Sequence, residues 1–114
     1  MNKEKEILNT VLYMVCSYHG VEPDDVKGKS RVQHLVTARQ TYCHLARRYT
    51  RSTLKQIGSI INRDHATVIH SDKLTQILSS VEKKTADDLR SIVQLNPEIK
   101  ELFQTGNAVL CYMR

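Results

Sequence analysis

Thr53-Leu54-Lys55-Gln56-Ile57-Gly58-Ser59-Ile60-Ile61-Asn62-Arg63-Asp64-His65-Ala66-Thr67-Val68 holds two helix starts and one sharp turn in a short span. Ser52 or Thr53 can accept hydrogen bonds from the free amides that open a helix running through Leu54, Ile57, Ile60 and Ile61. Asn62-Arg63 then makes a tight turn, and Asp64 can cap a second helix that carries Val68, Leu74, Ile77, Leu78 and Val81 inward. Two helices joined by so short a turn, the second opening with polar side chains, read as a helix-turn-helix near residues 53–81.

Working outward, Gln33–Tyr49 places Leu35, Ala38, Tyr42, Leu45, Ala46 and Tyr49 on one helical face, with Gln40 and Arg47 together on another. Arg39 and Arg47 are expected to project from this helix. Towards the N-terminus, Ile7, Leu8, Val11, Leu12 and Val15 recur at helical spacing over residues 3–18, and Gly20 is a natural C-terminal cap. Val21-Glu22-Pro23-Asp24-Asp25-Val26 leads into a short helical piece that Gly28 breaks, and Lys29-Ser30-Arg31 forms a basic connector. Beyond the hairpin, Thr85-Ala86-Asp87-Asp88 approximates a capping box opening a helix through Leu89, Ile92 and Val93; Asn96-Pro97 stops it, and a last helix runs from Glu98 to Phe103. The tail to Arg114 is unassigned. No alternating pattern calls for a sheet, so the fold class is all-α, and 114 residues suit one domain spanning 1–114.

Charge is distributed unevenly. Residues 27–73 hold Lys27, Lys29, Arg31, Arg39, Arg47, Arg48, Arg51, Lys55, Arg63 and Lys73 against Asp64 and Asp72, a local +8 in a chain of formal charge +5. A basic middle between acidic flanks is the electrostatic footprint of a surface for nucleic-acid phosphates. Within the hairpin, an α-helix fits the DNA major groove with its N-terminal residues at the base edges. There Asp64 can accept from a cytosine amino group, His65 can donate or accept, and Ala66 can touch a thymine methyl. Thr67 and the neighbouring helix amides can bind phosphate. Taken singly, Asp64 is a cap, His65 a surface residue and the arginines solubilising charges; their concentration in one stretch points to double-stranded DNA.

Other classes fit poorly. Cys16, Cys43 and Cys111 lack a paired spacing and read as reduced packing residues, and the five histidines show no finger-like ligand spacing, so no metal is expected. Adjacent helical residues such as Cys43 and His44 point about 100° apart, which does not make a nucleophile and its base. Neither catalysis nor a cofactor is expected. Gly28-Lys29-Ser30 imitates the end of a phosphate-binding loop, but the glycine required five residues earlier is Pro23, so no nucleotide is expected. No apolar run reaches the roughly 20 residues that span a bilayer, so the expected location is the cytoplasm, with no membrane partner. The alternative to DNA binding is a helical protein-interaction module, with tyrosine and leucine near the tail as its contacts.

Residues from Lys29 to about Leu78 resemble the C-terminal DNA-binding domain of DnaA, the bacterial replication initiator. Arg39-Gln40, Ser52-Thr53-Leu54 with Ile57-Gly58, and Arg63-Asp64-His65-Ala66-Thr67-Val68 with His70 follow that family's landmarks in order. The resemblance implies a Trp-repressor-like helix-turn-helix beside a basic loop. It implies that Arg31, eight positions before Arg39, enters the minor groove. It further implies that Arg39, Gln40 and Arg47 hold the backbone, that Asp64, His65 and Ala66 face bases, and that Thr67 binds phosphate. Lys55, Arg63 and Lys73 complete the candidate DNA-contacting set. The family's usual Phe-Gly-Gly before Arg-Asp-His is here Ile61-Asn62, one residue shorter, implying a changed approach of the recognition helix. Ala66 replaces a commoner Thr or Ser, and Leu74 stands where a basic residue is frequent. The family's ATPase domain is not expected, which implies a freestanding regulator of replication or transcription, or a mobile-element accessory factor, rather than an ATP-driven initiator.

Overall fold

The computed structural model describes residues 3–103, in which six α-helices and a closing 3-10 helix enclose one apolar core. The helices are α1 (Lys3–His19), α2 (Pro23–Lys27), α3 (Gln33–Tyr49), α4 (Leu54–Ile60), α5 (His65–Val81) and α6 (Lys83–Leu95), followed by the 3-10 helix Pro97–Phe103. Among the described residues there is no strand, and no helix is long and apolar enough to cross a membrane.

Each boundary has a local cause. Gly20 takes a positive φ of 70° at the end of α1, and the Val21 amide donates back to the Cys16 carbonyl at 3.0 Å. Pro23 opens α2, where its missing N–H costs no helical hydrogen bond. Thr53 and Gln56 form a reciprocal capping box at α4, the Thr53 hydroxyl accepting from the Gln56 amide at 3.1 Å and the Gln56 side chain from the Thr53 amide at 2.8 Å. Asp64 caps α5 by accepting from the Thr67 amide at 2.9 Å.

The central element is α3, which packs on α1, α2, α4, α5 and the 3-10 helix. Leu8, Val11, Leu12 and Val15 of α1 meet Leu35, Ala38, Tyr42, Leu45 and Ala46 of α3 in the core, together with Ile57, Ile61, Val68, Ile92 and Ile99. Full burial of one such aliphatic side chain is worth about 1.5–3 kcal/mol. Tyr42 is enclosed completely, and its hydroxyl donates to the Ile57 carbonyl at 2.8 Å, tying α3 to α4 without leaving a buried polar group unmatched. Cys16 and Cys43 are buried free thiols, consistent with packing residues; Cys111, Leu110 and Tyr112 lie outside the described residues.

Three details differ from the sequence expectations. Ile77 and Val81 are 59% and 73% exposed: they share the outward stripe of α5 with His70 and Lys73, while Val68, Ser71, Asp72 and Thr75 face the core. The sixth helix begins at Lys83, and Thr85 donates from inside it to the Glu82 carboxylate at 2.8 Å rather than capping it. The last helix is of the 3-10 type and starts at Pro97.

The turn between α4 and α5 brings two stretches of backbone into close contact. Gly58 offers one carbonyl to two amides, those of Ile61 at 3.1 Å and Arg63 at 2.9 Å. A Cβ on Gly58 would collide with the Arg63 carbonyl oxygen and sit 3.1 Å from Val68 Cγ2. Asn62 takes a positive φ of 59°, a conformation that asparagine accepts more readily than most residues. Gly58→Ala therefore sets a helix-propensity gain of about 1 kcal/mol against overpacking of about 1–3 kcal/mol. The obstacle is backbone and cannot rotate away, so the cost lies towards the upper end of its range and the expected result is a net loss of about 1–2 kcal/mol in chemical denaturation; an unchanged or raised midpoint would show that the turn relaxes freely.

Candidate nucleic-acid interface

The turn that fixes α5 also fixes the basic loop beside it. Arg63 Nη2 donates to the Gly28 carbonyl at 2.7 Å while Nη1 donates to the Ile61 carbonyl at 2.9 Å, and Asn62 Nδ2 donates to the Lys27 carbonyl at 3.2 Å. Loop and helix-turn-helix are thus joined by side chains from the turn itself. Between them lies an open cavity of about 510 Å³ lined by Lys29, Arg31, Val36, Arg39, Asn62 and Arg63, a concave surface of strongly positive character.

Asp64, His65 and Ala66 are exposed at the N-terminal end of α5, with Thr67 half-buried behind them. Arg31 and Lys29 are exposed on the loop, and Lys55 and Lys73 on α4 and α5. Gln40 is half-buried on α3, and its carbonyl accepts from the Thr75 hydroxyl at 3.3 Å. Arg47, with a side chain 39% exposed, donates to Asp72 at 3.1 Å. Lys29 was absent from the sequence-derived set, although it stands in the same basic connector as Arg31.

Two arginines are placed differently from expectation. Arg39 does not project from α3: it is only 8% exposed, and its guanidinium donates to four backbone carbonyls, those of Asp25, Val26, Gly28 and Ser30. Its burial, and secondarily the charge of Arg63, push its pKa down, yet a guanidinium stays charged in proteins. The expected projection of Arg39 from α3 is therefore corrected: the carbonyls of α2 and the loop after it lie across α3 and take its donors. Arg63 is half-buried and likewise spends its donors on the turn and loop.

A buried polar network was not visible in the sequence. Asp72 on α5 is 5% exposed; its carboxylate meets His44 Nδ1 at 2.9 Å and accepts from Arg47 Nη1 at 3.1 Å and Gln76 Nε2 at 3.2 Å. It locks α5 against α3 behind the exposed reading end. The apolar pattern of α5 does not signal it, since Leu74, Ile77, Leu78 and Val81 form a stripe nearly opposite Asp72.

The exposed end of a short-turn hairpin, flanked by a basic loop, defines a helix-turn-helix DNA-binding domain of the DnaA-like type. The family described as "Bacterial dnaA protein helix-turn-helix" matches residues 8–74, and the chain belongs to that family. It is 39% identical over 70 residues to the chromosomal replication initiator protein DnaA of Desulfatibacillum aliphaticivorans, covering 61% of this chain and 15% of that protein. It is 35% identical over 103 residues to the DnaA of Chlorobaculum tepidum, covering 87% of this chain and 20% of that one. For the DnaA of Flavobacterium psychrophilum the identity is 34% over 99 residues, covering 82% and 21%. The chain thus spans about a fifth or less of the length of these relatives, and the matched family describes a helix-turn-helix unit of such proteins.

Asp64 supplies a pH test of the site's rigidity. The Thr67 amide foremost, and then the Thr67 side chain, hold its carboxyl below the usual aspartate range. A carboxyl with a depressed folded-state pKa contributes stability that is complete above its unfolded value, about 3.9, and is lost as pH falls through the folded value. Wild type should accordingly lose more stability between pH 5 and pH 3 than Asp64→Asn, which has no proton to gain. Identical pH profiles in thermal melts would remove the charged cap from the account.

Proposed function

We propose that this chain binds double-stranded DNA with sequence preference, the N-terminal end of α5 lying in the major groove and Arg31 reaching the adjacent minor groove. Its biological role on this reading is regulation of replication or transcription at its target, without catalysis and without nucleotide. The observation that carries the reading is the pair of bonds from Arg63 and Asn62 to the loop, at 2.7 and 3.2 Å. They hold two potential readers on one side of the molecule with a cation-lined hollow between them, where the phosphate strand separating the two grooves can sit. The match to proteins named as chromosomal replication initiators supports a role at origin-like or operator-like sites. The single core, to which α1 through the 3-10 helix all contribute, supports one cooperative domain that binds by itself.

Anisotropy titrations of the chain against a duplex selected from a random pool test the proposal. Log affinity should fall linearly with log salt, with a slope near −0.9 for each phosphate contacted; a flat profile contradicts the DNA reading. His65→Ala should cost about 1–3 kcal/mol on the preferred site and flatten discrimination at one or two base positions, leaving non-specific binding nearly intact. Arg47→Ala should weaken all duplexes alike and reduce the salt slope by about 1. Uniform loss from His65→Ala together with altered base preference from Arg47→Ala would reverse the assigned orientation.

Arg31→Ala gives a separate outcome. The minor groove distinguishes chiefly A·T from G·C and reports groove width. The variant should lose affinity mainly on sites with an A·T-rich segment beside the major-groove core, and equal loss on G·C-rich flanks would reduce Arg31 to a phosphate contact.

A further inference from the structure

Arg39 directs its charge into the protein rather than towards a ligand. Nε donates to the Val26 carbonyl at 2.7 Å, Nη1 to Ser30 at 2.6 Å, and Nη2 to Asp25 and Gly28 at 3.3 and 3.2 Å. The Asp25 and Val26 carbonyls belong to the last turn of α2, whose acceptors have no partner within the helix. Those of Gly28 and Ser30 flank Lys29 in the loop that leads to Arg31. The planar fork of a guanidinium can bridge both groups at once, which a single ammonium cannot.

Among the described residues no carboxylate pairs with Arg39, so carbonyl dipoles alone compensate a nearly buried charge. The Gly28 carbonyl also accepts from Arg63, so two like charges converge on one acceptor. Such an arrangement costs free energy, and what it secures is the tie of residues 25–30 to α3.

We infer that Arg39 is a positioning residue for minor-groove recognition: it touches no DNA, and it holds the basic loop in the shape that aims Arg31. This inference rests on the DNA reading above. It makes sequence preference depend on a side chain buried behind the interface.

The test uses the full chain with Arg39→Lys, which keeps the charge, and Arg39→Gln, which removes it, each alone and combined with Arg31→Ala. Binding is measured across a salt series on duplexes with A·T-rich or G·C-rich flanks. Both Arg39 variants should lose flank preference to the same extent as Arg31→Ala, about tenfold, and should lose no more of it in the double variants. The salt slope of Arg39→Gln should equal that of wild type, because no phosphate contact is removed. A slope reduced by about 0.9 with flank preference intact would make Arg39 a phosphate ligand and overturn the inference.

Amide exchange without DNA reads the clamp independently. The Gly28 amide donates to the Asp25 carbonyl and the Val32 amide to the Ser30 hydroxyl. Both amides should exchange faster in Arg39→Lys while those inside α3 stay protected, which also shows that the variant is folded. Unchanged exchange at Gly28 and Val32 overturns the clamp even if wild type binds DNA well. Absence of duplex binding by wild type would instead defeat the DNA reading and leave the exchange result to decide the clamp alone.

Discussion

Gly58 and Arg63 meet backbone to backbone, and the geometry of the interface is built on that contact. Because the Gly58 carbonyl takes both the Ile61 and Arg63 amides, the chain reverses without a spare residue. Ile61 is driven into the core and Asn62 is left in the left-handed region. The crossing of α4 and α5 follows from this closeness, since any side chain at position 58 would wedge the helices apart. Arg63 emerges from the same turn and reaches Gly28, so the backbone that orients the recognition helix also anchors the loop. The reversal is completed by asparagine taking a left-handed conformation that glycine could otherwise supply.

The basic residues of the middle segment fall into two populations. Lys29, Arg31, Arg47, Arg48, Arg51, Lys55 and Lys73 are exposed, Arg47 while also donating to Asp72, whereas Arg39 and Arg63 are engaged by carbonyls. All of them contribute to the long-range field that attracts a polyanion, because a charge acts through space wherever it is held. Only the exposed ones are free to displace counterions at a phosphate. Net charge therefore describes attraction, while hydrogen-bond commitment decides the contacts.

Helix periodicity, caps and breakers were legible because they are local. The bounds of α3, the Thr53 and Asp64 caps and the turn at Asn62-Arg63 all follow from residues within a few positions of one another. What escaped depends on partners distant in sequence. Nothing near Arg39 announces that the carbonyls of residues 25–30 will surround it, so an arginine on an amphipathic helix reads as exposed. Ile77 and Val81 keep the apolar rhythm of α5 yet lie on its outward stripe, because the side that packs on α3 carries the polar Ser71, Asp72 and Thr75, which an apolar pattern does not count. Thr85 satisfies a capping pattern, yet Glu82 already takes an extended conformation before Lys83 and the helix begins there. The candidate reading residues were legible as types and positions; which cations stand free beside them was not.

Along α5 the chain changes character in a way that bears on recognition. Its first turn is polar and exposed, but two turns further on Ser71, Asp72 and Thr75 are buried, with Asp72 on His44 and Thr75 on the Gln40 carbonyl of α3. Apolar surfaces tolerate small slips and rotations because dispersion has little direction, whereas hydrogen bonds demand particular distances and angles. Asp72 bound to His44, Arg47 and Gln76, and Thr75 bound to the Gln40 carbonyl, admit only one rotation of α5 about its own axis. Rotating the helix by one residue, about 100°, would break each of these bonds that crosses to α3 and carry His65 and Ala66 off the exposed face. A buried ionic cluster is a weak source of stability compared with apolar packing of the same volume. Its contribution here is angular: it converts a helix that could roll on its neighbour into one whose first turn presents a fixed set of side chains.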